Sequence, residues 1–304
     1  MGYLLVPLLM LLSACASQPP LPEWQSPEGR DHADLGQILE LRTGRSLTPE
    51  ELVTDLAGQS RVLVGERHDN PDHHALQLWL LKAMAGHRDQ GSLLLEMLDP
   101  VQQPLVQQVQ HALGSDQPPA DLQAALGWRA GWDWALYGPL VEYALGQPYP
   151  LLAANLDRDE IGAIYRGGTR LSGVHATAAP VVQTLTAQIR VSHCDMLPES
   201  QIPAMLSVQQ QRDRRMAERL LEAPAPAMLL AGAFHARRDL GVPLHLKDLG
   251  RDDGGVVVML AEVGQSVGAE QADYVWFTPA QPEQDHCARF REAKKDPAAP
   301  GRKP

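Results

Sequence analysis

Apolar residues along the chain gather into short blocks closed by glycine, proline or aspartate, which is the pattern of buried strands. Such blocks cover 61–66, 92–97, 150–155, 227–233, 255–263 and 274–278. Longer stretches between them carry the composition and boundaries of helices: 34–42, 71–87, 101–113, 139–145, 180–191 and 203–222. This alternation predicts an α/β protein, a three-layer α/β/α domain with a mostly parallel central sheet. Two stretches are predominantly helical and read as insertions, about 100–146 and 156–222. The first holds Trp128, Trp132, Trp134, Tyr137 and Tyr143 and is suited to cap the sheet edge.

The two ends differ from this pattern. Residues 3–12 form an apolar run too short to span a bilayer, and they read as a signal-peptide core although no Lys or Arg precedes it. Leu12-Ser13-Ala14-Cys15 follows and resembles a bacterial lipobox. The expectation is a signal peptide over 1–14, lipidation at Cys15, and an anchor that holds the protein to the membrane without spanning it. Ala16 after the cysteine, rather than Asp, favours the outer membrane. Residues 15–30 read as a proline-rich tether, 31–291 as the folded domain and 292–304 as a disordered tail. Net charge is −11, which argues against a nucleic-acid partner. Cys194 and Cys287 remain once Cys15 is assigned; a disulfide in an oxidising compartment and two free thiols are both open.

Candidate chemistry collects where the strand blocks end. Gly65-Glu66-Arg67-His68 and Gly232-Ala233-Phe234-His235 repeat one Gly-x-x-His pattern at two strand termini. In a shared parallel sheet both histidines lie at the carboxyl edge, where open α/β sheets bind ligands. Glu96 closes a third apolar block, where a lone buried carboxylate is costly, and Asn155 closes a fourth. Asn70 and Pro71 start a helix with Asp72 in its first turn, and His73 and His74 are expected to be solvated there. Gln210, Asp213, Arg214 and Glu218 could add a polar contact to the same site, but a solvated helix face is the preferred expectation. The glycine spacing is not that of a phosphate loop.

Taken together, Val64 to His74, Leu93 to Met97, Trp128 to Tyr137, Ala153 to Arg158 and Gly232 to His235 resemble the ChaN family of the Tiki/TraB/EreA superfamily. The resemblance covers about residues 35–280, with Asp157 standing where the family pattern carries proline. It implies an α/β/α fold with helical insertions and a haem-related role in iron uptake at the outer membrane. The partners it implies are haem, an outer-membrane receptor system and, through shared haem, a second copy of the chain.

The resemblance implies one function, and the strand-end residues suggest another. The first is haem binding, with Tyr137, Tyr143, Tyr165 and His193 as candidate axial ligands, Asn155 as a polar contact, and Trp132 and Trp134 as walls. The second is a hydrolase or peptidase in which Glu66, His68, Glu96 and His235 hold a divalent metal or activate water. There His68, Glu96 and His235 are the metal ligands, and Arg67 and Arg237 steady a developing anion. The first is the preferred reading.

Overall fold

A computed structural model describes residues 18–288, except 116, 168–170, 252–253 and 286. The expected signal peptide, Cys15 and the tail 292–304 lie outside the described residues. The elements in order are β1 (Ile38–Glu40), β2 (Arg45–Leu47), α1 (Pro49–Ala57), β3 (Arg61–Glu66), α2 (Pro71–Met84), β4 (Ser92–Leu95), α3 (Gln103–Gly114), α4 (Leu122–Ala125) and α5 (Trp134–Leu145). Then come β5 (Leu151–Ala153), α6 (Arg158–Tyr165), α7 (Ala179–Ser192), α8 (Ile202–Glu222), β6 (Ala227–Gly232), α9 (Ala233–Ala236), α10 (Val242–Asp248), β7 (Val256–Glu262) and β8 (Tyr274–Thr278).

The strands form one eight-stranded sheet in the order β2-β1-β8-β7-β3-β6-β4-β5. From β8 to β5 every pairing is parallel, and the β1–β2 hairpin adds an antiparallel edge. Alternation along β3 explains the layers. Val62 and Val64 pack with α1, α2, α3 and α5, whereas Leu63 packs on the opposite side with α8 and α10. Each fully buried Val or Leu on these faces contributes about 1.5–3 kcal/mol.

Chain direction reverses at the centre of the sheet. From β3 the chain moves toward β4 and β5; from β6 it crosses back past β3 to β7. The crevice beyond the carboxyl ends of β3 and β6 is therefore the switch point where such sheets bind ligands. Gly65 makes this juncture tight. A Cβ there would lie 2.8 Å from Met259 Sδ and 2.9 Å from Ala236 Cβ, so only glycine lets the β6 turn close on β3.

Two local expectations are corrected, and one departure from the family pattern finds its place. Residues 34–42 are not a helix: Gly36 turns the chain at φ +78°, and Ile38–Glu40 joins β8, so a long-range ladder overrides local spacing. Residues 18–30, read as part of the tether, lie on the domain instead of standing free. Trp79 Nε1 donates to Pro19 O, the Gln25 and Ser26 amides donate to Asp72, and Glu28 bridges Ala280. Asp157 is the N-cap of α6 in a capping box with Glu160.

Cys194 and Cys287 form a disulfide across 93 residues of sequence. Of the two states the sequence left open, the structure has the bonded one.

Candidate functional site at the carboxyl edge of the sheet

The two Gly-x-x-His turns meet as their repetition suggested. β3 and β6 are neighbours, with Glu66 opposite Gly232 in the register. His68 follows β3, Glu96 follows β4 and His235 follows β6, so one edge gathers all three.

Glu66 is buried and organises one half of the site. Tyr137 OH donates to its Oε1 at 2.7 Å, and His68 Nδ1 lies 2.9 Å from the same oxygen. His74 Nδ1 lies 3.1 Å from Oε2, without an aligned hydrogen bond. His74 Nε2 donates to His68 O at 3.0 Å, which fixes the loop. Burial opposes charge on His68, but the Glu66 hydrogen bond and the Glu96 field outweigh it and raise its pKa. The Tyr137 phenol is pushed up by burial and then by the Glu66 charge, so it remains a hydroxyl that donates.

Glu96, His235 and Asp213 form the other half. Gly232 N donates to Glu96 Oε2 at 2.8 Å, and His235 Nε2 lies 3.3 Å from Oε1. On its far side, His235 Nδ1 is in close contact with Asp213 Oδ1. Burial opposes protonation of His235, but the two carboxylates prevail and its pKa is pushed up to about 10. Burial opposes ionisation of Glu96; the charge and hydrogen bond of His235, followed by the charges of His68 and Arg212, hold its pKa well below the usual range. At neutral pH His235 is thus an imidazolium clamped between carboxylates.

His73 and His74 are buried, which corrects the expectation that they are solvated. His73 Nδ1 accepts from Arg67 N at 2.8 Å, so Nε2–H donates to Thr278 Oγ1 at 2.9 Å, and burial pushes its pKa well down. Gln210 and Asp213 are also buried, not solvated. Arg214 does pair with Glu218 on the partly exposed side of α8.

The aromatic insertion caps this edge as expected. Trp132 packs edge-on to His68 with ring centroids 4.9 Å apart, and Tyr137 packs on His74 at 4.3 Å. Trp128 stacks edge-on to Trp134 at 5.0 Å. Beside the histidines opens a cavity of about 730 Å³, lined by His68, His235, Phe234, Arg237, Met259 and Gln271. Phe234 is 43 % exposed on its rim, with the Arg237 guanidinium 5.9 Å from its ring centroid.

The remaining candidates fall in different places. Asn155 donates from Nδ2 to Glu96 O and accepts from Leu156 N, so both ends of its amide are used in positioning the strand ends. Tyr143 lies against Lys82 away from the histidines, and burial raises its pKa. His193 ends α7, its Nδ1 2.8 Å from Ile189 O. Tyr165 ends α6 and is 38 % exposed. Because Glu160 pairs with Arg215 while Ile164 and Gln211 flank one hollow, α6 runs antiparallel to α8. Arg67 pairs with Asp69 and Glu262, and Arg237 with Asp239.

His68, Glu96 and His235 come together, but as carboxylate–imidazole pairs. Among the described residues no group of three or more His, Cys, Asp or Glu side chains converges to hold a metal ion. Both His235 nitrogens are engaged by carboxylates.

Asp213 makes the polar contact to the site that the sequence offered as the less favoured reading of α8. Its signal lies in register: Met216, Ala217 and Leu220 follow at helical spacing and are buried, so Asp213 is a carboxylate on the apolar stripe.

Fold and site define a mixed α/β protein with paired carboxylate–imidazole groups at the switch point of its sheet. The chain belongs to the ChaN family, whose model, described as haem-binding uptake, Tiki superfamily, ChaN, matches residues 52–246. Among solved structures it is similar to ChaN of Campylobacter jejuni, described for its cofacial haem binding, at 27% identity and TM-score 0.71, over 79% of this chain and 95% of that one. It is more loosely similar to a mutant of the erythromycin esterase EreC in its open conformation, at 14% identity and TM-score 0.43 over 80% and 82% of the two chains. A succinoglycan biosynthesis protein is similar at 11% identity and TM-score 0.45, over 75% and 90%. No curated protein matches the chain.

Proposed function

We propose that this chain binds haem and takes part in haem and iron acquisition as a lipid-anchored protein of the bacterial outer membrane. The observation that carries the reading is family membership over residues 52–246, supported by the likeness to a haem-binding ChaN across most of both chains. The residues fit the group. Haem needs an axial donor and apolar surface. Tyr165 offers an exposed phenol at the end of α6, and Phe234 and Val191 are exposed apolar groups. Tyr137 is a poorer donor because its hydroxyl is buried and bonded to Glu66. Haem would supply the iron centre, and the chain would supply the Tyr165 phenol and apolar walls.

Cys15 is the proposed lipid anchor, an outer-membrane haem or iron receptor system the proposed partner, and a haem-linked homodimer the proposed assembly. The Cys194–Cys287 disulfide supports placement in an oxidising envelope compartment.

Haemin titration of the purified full-length chain, read by absorbance, tests this. We expect a saturable Soret band at one haem per chain or fewer, weakened at least tenfold in Tyr165→Phe. A wild-type protein with no saturable band contradicts the reading.

One observation supports a second reading, hydrolysis without metal. His68 Nδ1 is oriented by Glu66, as in a general base, and the side chain is 42 % exposed toward the cavity. The family assignment favours haem.

A further inference from the structure

Residues 18–30 form a strap that is built into the domain. Asp72, buried in the first turn of α2, accepts the Gln25 and Ser26 amides at 2.7 and 2.9 Å. Ser26 is itself buried; its hydroxyl donates to Asn70 Oδ1 and accepts from Gln281 Nε2. Arg30 donates to Ser26 O and Trp24 O, and the Trp24 ring packs against the core. Nearer the amino terminus, Pro19 O accepts from Trp79 Nε1 at 2.9 Å. Buried hydrogen bonds at this density fix a segment in one place.

These contacts give the strap a direction. Asp72 lies in the first turn of α2, and Trp79 lies about two turns further on. Followed back from Ser26 to Pro19, the strap therefore runs along α2 from its start toward its end. α2 starts at the carboxyl edge of the sheet, just after His68. Its 14 residues carry it about 21 Å, back to the amino edge where β4 begins. The strap thus leads away from the histidine site, toward the opposite pole.

The link to Cys15 is short. Four residue steps separate Cys15 from Pro19, a reach of at most about 14 Å. Near this pole Leu21 is 49 % exposed on the strap. Lys82 is exposed one turn past Trp79, its ammonium 5.4 Å from the Tyr143 ring centroid. An exposed leucine with a lysine stem and a tyrosine suits the boundary between acyl chains and headgroups. Net charge of −11 gives the molecule no general attraction to anionic lipid, so the short link and this pole set the orientation.

We propose that the outer end of the strap and the α2–β4 loop, residues 85–91, form a docking surface for a lipid bilayer, with the histidine edge turned away from it. This rests on the proposed acylation of Cys15, which supplies the affinity; the strap supplies the orientation. The length of α2, about 21 Å, then stands between the headgroups and the histidine site. A ligand or partner reaches that site from the aqueous side.

The test uses the full-length chain on vesicles of phosphatidylethanolamine and phosphatidylglycerol that carry a headgroup nitroxide. Fluorophores are attached through His87→Cys, at the proposed surface, and Ser266→Cys, beyond β7 at the histidine edge; both positions are exposed. The mass of the amino-terminal peptide first tells whether Cys15 is acylated. An unmodified Cys15 overturns the anchor and this surface with it. With Cys15 acylated, the nitroxide is expected to quench the His87 label at least threefold more strongly than the Ser266 label. A flexible Gly/Ser insert of about twenty residues between Ser17 and Gln18, roughly 25 Å of reach, keeps the protein on the vesicle and should bring the two labels to equal quenching. Equal quenching without the insert, stronger quenching at Ser266, or a difference that survives the insert overturns the oriented surface while the anchor stands.

Discussion

At the scale of single residues the site is governed by protons. His235 keeps its proton in the folded chain to about pH 10, whereas an unfolded histidine loses it near its ordinary value of 6.5. The sign follows directly. This contribution to stability is complete below pH 6.5 and is lost as pH rises toward 10, at about 1.4 kcal/mol per pH unit for one proton. Urea unfolding between pH 7 and 10 should show this slope, and His235→Gln should flatten it by one proton. A slope unchanged in the variant would mean that His235 is not the clamped imidazolium. Glu66, His68, Glu96 and His235 were legible in the sequence because a polar residue ending an apolar strand has few inexpensive explanations. Asp213, His73 and His74 were not. Each sits in a helix whose charged neighbours mask it, and only packing shows that the carboxylate or imidazole points inward.

At the scale of elements, local signals and long-range pairing compete. The parallel strands β3, β6 and β8 were legible almost to the residue, because strands buried on both faces are continuous apolar runs. Strand β1 was misread as helix, since its partner β8 lies more than two hundred residues away. The short edge strand β5 shows a different device. Gln103 of α3 donates to Leu151 O at 3.0 Å and accepts from Ala153 N, and Gln110 donates to Tyr149 O at 3.1 Å and accepts from Leu151 N. Two glutamines two turns apart thus cover the edge as a neighbouring strand would. The double variant Gln103→Ala/Gln110→Ala should lose about 2–6 kcal/mol, from four hydrogen bonds of about 0.5–1.5 kcal/mol each. Sedimentation velocity without haem should show it self-associating more than wild type. Unchanged stability and sedimentation would show that the edge needs no cover.

For the whole molecule, the disulfide joins the end of α7 to the segment after β8, across 93 residues. Closing a loop of that length restricts the unfolded chain by roughly 4 kcal/mol. The urea midpoint should fall by that equivalent in Cys194→Ser/Cys287→Ser, and reductant should then have no further effect on the variant. The α/β architecture and family were legible because strand-end motifs repeat across the chain. The site's neighbour relations were not, since strand order is set by crossover connections that no local pattern records.

The most direct measurement is the haemin titration of the full-length chain, with wild type and Tyr165→Phe compared by Soret absorbance. A saturable band in wild type, weakened at least tenfold in the variant, is the predicted result. A wild-type protein that gives no saturable band contradicts haem binding as the function of this chain.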